Sequence, residues 1–79
     1  MIVNGDLNLF KSSIKSLGNL KEVKGTLDIS ETEISFLPKD LIFNWIYFEN
    51  SALSNKFNIN TGSNYSKKYL LEKYPQIFK

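Results

Sequence analysis

The sequence predicts an α+β domain in which a short parallel-β solenoid of about three coils is closed by a C-terminal α-helix. Three observations lead there. The segment VKGTLDISETEISFLP (23–38) repeats VNGDLNLFKSSIKSLG (3–18) nearly position by position. A third, slipped copy starts at Ile42. Beyond it, a lysine- and tyrosine-bearing stretch has helical spacing and ends at Pro75.

The repeat comes first, because self-similarity of about 20 residues decides the architecture before local propensity does. The first register is Val3, Gly5, Leu7, Leu9, Ser12, Ile14 and Leu17. The second is Val23, Gly25, Leu27, Ile29, Thr32, Ile34 and Leu37. The third is Ile42, Asn44, Ile46, Phe48, Ser51 and Leu53, so the offset drops from 20 to 19. The pairs Leu7–Leu9, Leu27–Ile29 and Ile46–Phe48 have the period of a strand with one buried face. The later apolar pair in each unit breaks that period, so the chain has to turn and return. One strand and one return arc make a coil, and stacked coils share an interior that none could bury alone. The units are expected at 3–22, 23–41 and 42–57, within a single domain spanning 1–79. Gly5 and Gly25 are expected where the backbone needs positive φ or a close approach, with Asn44 as their left-handed-tolerant replacement.

L-x-L-x-x-S-x-I at 7–14, L-x-I-x-x-T-x-I at 27–34 and I-x-F-x-x-S-x-L at 46–53 resemble the leucine-rich repeat. The match is to its short, strand-rich form in small phage and bacterial proteins, and it covers roughly residues 3–57. Ser12, Thr32 and Ser51 stand where that family usually has Asn or Cys. The resemblance implies a parallel sheet on one side, irregular backbone on the other, and no particular activity.

The ends differ from the repeats. A helix is expected over about 64–74, capped by Ser63 or Ser66 and limited by Pro75, with Leu70, Leu71 and Tyr74 on the arc that covers the third coil. Phe57 and Ile59 offer the start of an incomplete fourth strand. At the other end, strand 3–10 is expected to be an open sheet edge, which a second copy of the chain would hide as a homodimer.

Composition narrows the function. Seventy-nine residues make one small domain. With no cysteine there is no disulfide or thiolate metal site, and with no histidine the commonest general base and metal ligand are missing. Ser12, Thr32 and Ser51 therefore have no activating base, and no enzyme activity or cofactor is expected. Asp6, Asn8, Asp28 and Glu49 lack a metal-loop signature, and no metal is expected. No signal-like or membrane-spanning stretch appears, so a cytoplasmic protein is expected, in the host cytoplasm if the source is a phage.

Stacked coils would align the outward residues in rows: Asp6, Thr26 and Trp45; Asn8, Asp28 and Tyr47; Phe10, Ser30 and Glu49. Aromatic side chains beside carboxylates suit a protein-binding hot spot. Trp45, Tyr47, Asp28, Asn8, Phe10 and Glu49 are therefore the expected partner-binding residues. The expected function is a non-catalytic protein-binding module, in its most concrete form a phage-encoded inhibitor of a bacterial defence or regulatory protein. Two alternatives are carried. One is a nucleic-acid binder using a basic C-terminal surface of Lys67, Lys68 and Lys73 with Tyr65 and Tyr69 as stacking platforms. It is disfavoured because the chain has no arginine. The other is a self-assembling structural unit.

Overall fold

The computed structural model describes residues 1–59 and 64–79. The sequence-expected cap Ser63 lies outside them. In chain order the elements are β1 (Ile2–Val3), β2 (Leu7–Asn8), β3 (Glu22–Asp28), β4 (Ile42–Tyr47), α1 (Ala52–Phe57), β5 (Tyr65–Ser66) and α2 (Lys67–Lys73), followed by a 3₁₀ turn at Pro75–Ile77. The sheet order is β1-β3-β4-β5, with β2 also pairing β3.

The expected solenoid of three like coils is not what forms. The sheet is mixed: β1, β2 and β4 run parallel to β3, but β5 pairs antiparallel to β4. The three segments also end differently. The first keeps two strand pieces of two residues each, while the third turns into a helix. The domain is a small α+β unit whose sheet carries two helices.

Register explains why the core sits in the second and third segments. Leu7 pairs with Leu27, and Leu27 with Ile46. Val23 pairs with Phe43, not with Ile42. Between Val23 and Thr26, β3 takes one more residue than β4 takes between Phe43 and Trp45, an irregularity of bulge type. The change of repeat offset is absorbed there. Ile42 is accordingly paired with Glu22 and 57% exposed, against the expectation that it is core. Asn44 does not adopt positive φ. Its side-chain amide instead donates to the Lys24 carbonyl at 3.2 Å, beside the irregularity. Leu27, Ile29, Ile34, Leu37, Ile46, Phe48 and Leu53 are fully buried. Val3, Leu7, Leu9, Ile14 and Leu17 are only partly buried and pack against this core.

The two repeat-equivalent glycines have different roles. Gly5 has no positive φ, and the space its Cβ would occupy is open. Gly25 allows close approach. A Cβ there would run into the Asp6 carboxylate, and would lie 2.9 Å from the Gly5 carbonyl carbon and 3.0 Å from the Asp6 nitrogen. The Asp6 carboxylate occupies that place because it accepts the Thr26 N–H at 2.7 Å, across the bend between β1 and β2.

The hydroxyl residues act locally. Thr32 Oγ1 donates to the Ile29 carbonyl at 2.7 Å, and Ser51 Oγ to the Phe48 carbonyl at 2.6 Å. Ser51 also accepts the Ser54 N–H, and the Ser54 hydroxyl accepts the Ser51 N–H, closing a capping box on α1. The expected fourth strand at Phe57 and Ile59 does not form: Phe57 is the last residue of α1, and Ile59 is buried beyond it, outside any strand. The residue before each hydroxyl is left-handed: Lys11 at φ 61°, Glu31 at 56° and Asn50 at 51°. Adjacent turns are hydrogen-bonded, Lys11 N–H to the Ser30 carbonyl and Glu31 N–H to the Glu49 carbonyl.

The C-terminal helix is shorter than expected. Tyr65 and Ser66 belong to β5, and Ser66 caps α2 by accepting the Tyr69 N–H. Leu70 is buried, but Leu71 is exposed and is not on the covering arc. Ile77, the last residue of the 3₁₀ turn, and Phe78 after it enter the core. The Leu37 N–H donates to the Ile77 carbonyl and the Lys79 N–H to the Leu37 carbonyl. No helix among the described residues is long and apolar enough to cross a membrane.

Candidate functional site

The outward sheet face is set by strand alternation. With Leu27 and Ile46 turned inward, their neighbours turn outward. Thr26 pairs with Trp45, and Asn8, Asp28 and Tyr47 are mutually in register along β2, β3 and β4. Trp45 is 48% exposed, Tyr47 40% and Phe10 47%, although small proteins usually display large apolar side chains singly.

Two shallow depressions meet on this face. One, of about 260 Å³, is lined by Phe10, Asp28, Ser30, Glu31, Tyr47 and Glu49. The other, of about 250 Å³, is lined by Asp6, Leu7, Asn8, Thr26, Asp28 and Tyr47. Asp28 and Tyr47 line both. Five of the six expected binding residues, Asn8, Phe10, Asp28, Tyr47 and Glu49, thus come together, while Trp45 stands beside them without lining either depression.

The side chains of this face are held to different degrees. Asp28 Oδ1 accepts the Ser30 N–H at 2.9 Å, and Asn8 Oδ1 accepts the Phe10 N–H at 2.9 Å. These equivalent Asx turns steer the chain from strand into left-handed turn. Ser30 Oγ accepts the Glu49 N–H at 3.1 Å. Glu31 and Glu49 make no side-chain hydrogen bond or ion pair among the described residues. Four carboxylates, Asp6, Asp28, Glu31 and Glu49, line the two depressions, and no lysine does. At the edge of this face, Lys11 Nζ lies 5.3 Å from the Phe10 ring centroid. Sequence reasoning missed Glu31. Its signal was the residue before each repeated hydroxyl, Lys11, Glu31 and Asn50, where the chain turns back.

The expected basic surface is partly used internally. Lys67 Nζ donates to the Leu41 carbonyl at 2.6 Å and the Lys39 carbonyl at 3.3 Å. Tyr65 packs against Phe48 at 5.6 Å and stacks on Tyr69 at 5.4 Å between centroids. Burial, then the neighbouring Tyr69 and Tyr74, push the Tyr65 phenol above its ordinary pKa. Lys68, Lys73 and Tyr69 remain exposed. Elsewhere, Phe36 lies under two ammonium groups, Lys56 at 3.9 Å and Lys79 at 4.4 Å from its centroid. It borders a depression of about 340 Å³ with Ser16, Leu17, Gly18, Leu37, Pro38 and Lys79.

At the β1–β2 edge, the two-residue strands and the bend that Asp6 ties to Thr26 interrupt the row of free backbone groups. Short, broken edges of this kind resist strand addition. No group of three or more carboxylates among the described residues gathers to hold a metal ion.

No protein-family model matches the chain, and neither a search of curated proteins nor one of solved structures returns a match.

Proposed function

We propose that the chain is a non-catalytic protein-binding module that docks a partner on the outward face of its sheet. The observation that carries this reading is the exposure of Trp45, Tyr47 and Phe10 together on one face, around two depressions rimmed by carboxylates. Large, semi-rigid aromatic side chains give contact area at low entropic cost, and acids at the rim select partners and speed encounter. A host defence or regulatory protein, met by a phage-encoded inhibitor, is the concrete form of the proposal; it rests on the leucine-rich-repeat resemblance and on the Lys- and Asn-rich, arginine-free composition.

The test is capture of a partner from bacterial lysate by the wild-type chain and by Trp45→Ala/Tyr47→Ala, read by mass spectrometry. Truncating a central interface aromatic costs about 2–4 kcal/mol. The double variant should fold normally and lose the partner, and undiminished capture would move the binding face elsewhere.

A further inference from the structure

We propose that the segment docking on this face is basic, an extended stretch of partner chain that seats an arginine or lysine side chain among Phe10, Asp28, Glu31, Tyr47 and Glu49. The inference deepens the binding-module reading and rests on it.

Charge complementarity carries it. The face combines exposed aromatic rings with four carboxylates and no lining lysine, in a chain whose overall charge is positive. A guanidinium or ammonium group is the one common side-chain chemistry that gains from both. It is drawn to the face of an aromatic ring, and it pairs with carboxylates. The carboxylates of Glu31 and Glu49 have no internal hydrogen-bond or ion-pair partner among the described residues, so a cation engages them without breaking a structural contact. Asp28 Oδ1 is held by the Ser30 N–H, which fixes that carboxylate at the junction of the two depressions. The Phe10 ring already has the Lys11 ammonium 5.3 Å away, so a cation sits beside this ring in the free protein. Lys11 then competes with an incoming cation. The two depressions share Asp28 and Tyr47, so they continue one another across the strands, and an extended segment spans both.

The experiment titrates ¹⁵N-labelled protein, at low salt, with an octapeptide of alternating Arg and Gly and with its citrulline counterpart, which is neutral and nearly isosteric. The arginine peptide should shift amides of residues 8–11, 28–31 and 47–50, and the citrulline peptide should leave them in place. Glu31→Gln/Glu49→Gln keeps the backbone hydrogen bonds of both residues and should weaken arginine-peptide binding about tenfold. Lys11→Met should strengthen it two- to fivefold, an effect no loss of folding produces. Equal shifts from the citrulline peptide, indifference to Glu31→Gln/Glu49→Gln, or no shift at millimolar peptide would each overturn the inference. If a lysate partner is lost with Trp45→Ala/Tyr47→Ala but kept with Glu31→Gln/Glu49→Gln, the docking face stands and its basic occupant falls. If neither variant affects capture, the face itself is wrong.

Discussion

Gly25→Ala separates close backbone packing from repeat symmetry. The added methyl would meet the Asp6 carboxylate and lie 2.9 Å and 3.0 Å from two backbone atoms of the β1–β2 bend. The carboxylate can swing away, but only by releasing the Thr26 N–H that it holds at 2.7 Å. A hydrogen bond to a charged acceptor contributes about 1.5–3 kcal/mol, with the lower end fitting an exposed site. Pressing a methyl into backbone adds about 1–3 kcal/mol. The lower entropy of the unfolded alanine chain returns about 0.4–1 kcal/mol. The net loss is therefore about 2 kcal/mol, or a Tm roughly 8–16 °C lower for a domain this small. Gly5→Ala is the control. Its Cβ position is open and its φ is not left-handed, so the entropy term alone should make it neutral or slightly stabilising. Urea unfolding followed by circular dichroism and by the fluorescence of Trp45, which pairs in register with Thr26, reads both. In an Asp6→Ala background the carboxylate clash disappears and the cost of Gly25→Ala should shrink. Equal stability of Gly25→Ala and Gly5→Ala would refute the reasoning.

Three further outcomes follow from local contacts. Ser51→Ala removes the donor to the Phe48 carbonyl and the acceptor of the Ser54 N–H at a fully buried site, and should cost about 1–2 kcal/mol in urea unfolding. Lys67→Met keeps much of the side chain's length but leaves the Leu41 and Lys39 carbonyls without its ammonium, and should cost about 1 kcal/mol, with faster hydrogen exchange around residues 39–42. Glu31→Gly relieves a left-handed residue while keeping the N–H that donates to Glu49, and should stabilise by about 0.5–1 kcal/mol; Glu31→Val, β-branched at the same φ, should destabilise by about 1–2 kcal/mol. A thermal melt of the pair checks the sign of both.

Much of the sheet was legible in the sequence because burial imposes a period. Leu7, Leu27 and Ile46 share a row in the structure as in the repeat, and so do Asn8, Asp28 and Tyr47. What periodicity could not show was where the pattern stops. Alternation counted back from Phe48 and Ile46 points to Ile42, and pairing with β3 buried Phe43 instead. The Ser-x-x-Ser start of α1 was written in residues 51–54, but the apolar spacing of Phe57 and Ile59 read as a strand. Tyr65 and Ser66 look like the first turn of a helix until β4 offers them an edge to pair with, a tertiary choice with no local signature. The outward row was readable at Phe10, Asp28, Tyr47 and Glu49. Glu31 was not, because its place at the rim depends on a left-handed turn that only the aligned Lys11 and Asn50 hint at.

The shortened spacing in β4 has one more effect. A regular pleat alternates sides at every step, yet Phe43 and Ile46 are both buried while Asn44 and Trp45, consecutive in the chain, are both exposed. This strand therefore tolerates a change of length at a single point. One small residue added between Asn44 and Trp45 would restore strict alternation and leave Trp45 and Tyr47 facing solvent. The same addition after Tyr47 would turn the Phe48 ring out of the interior.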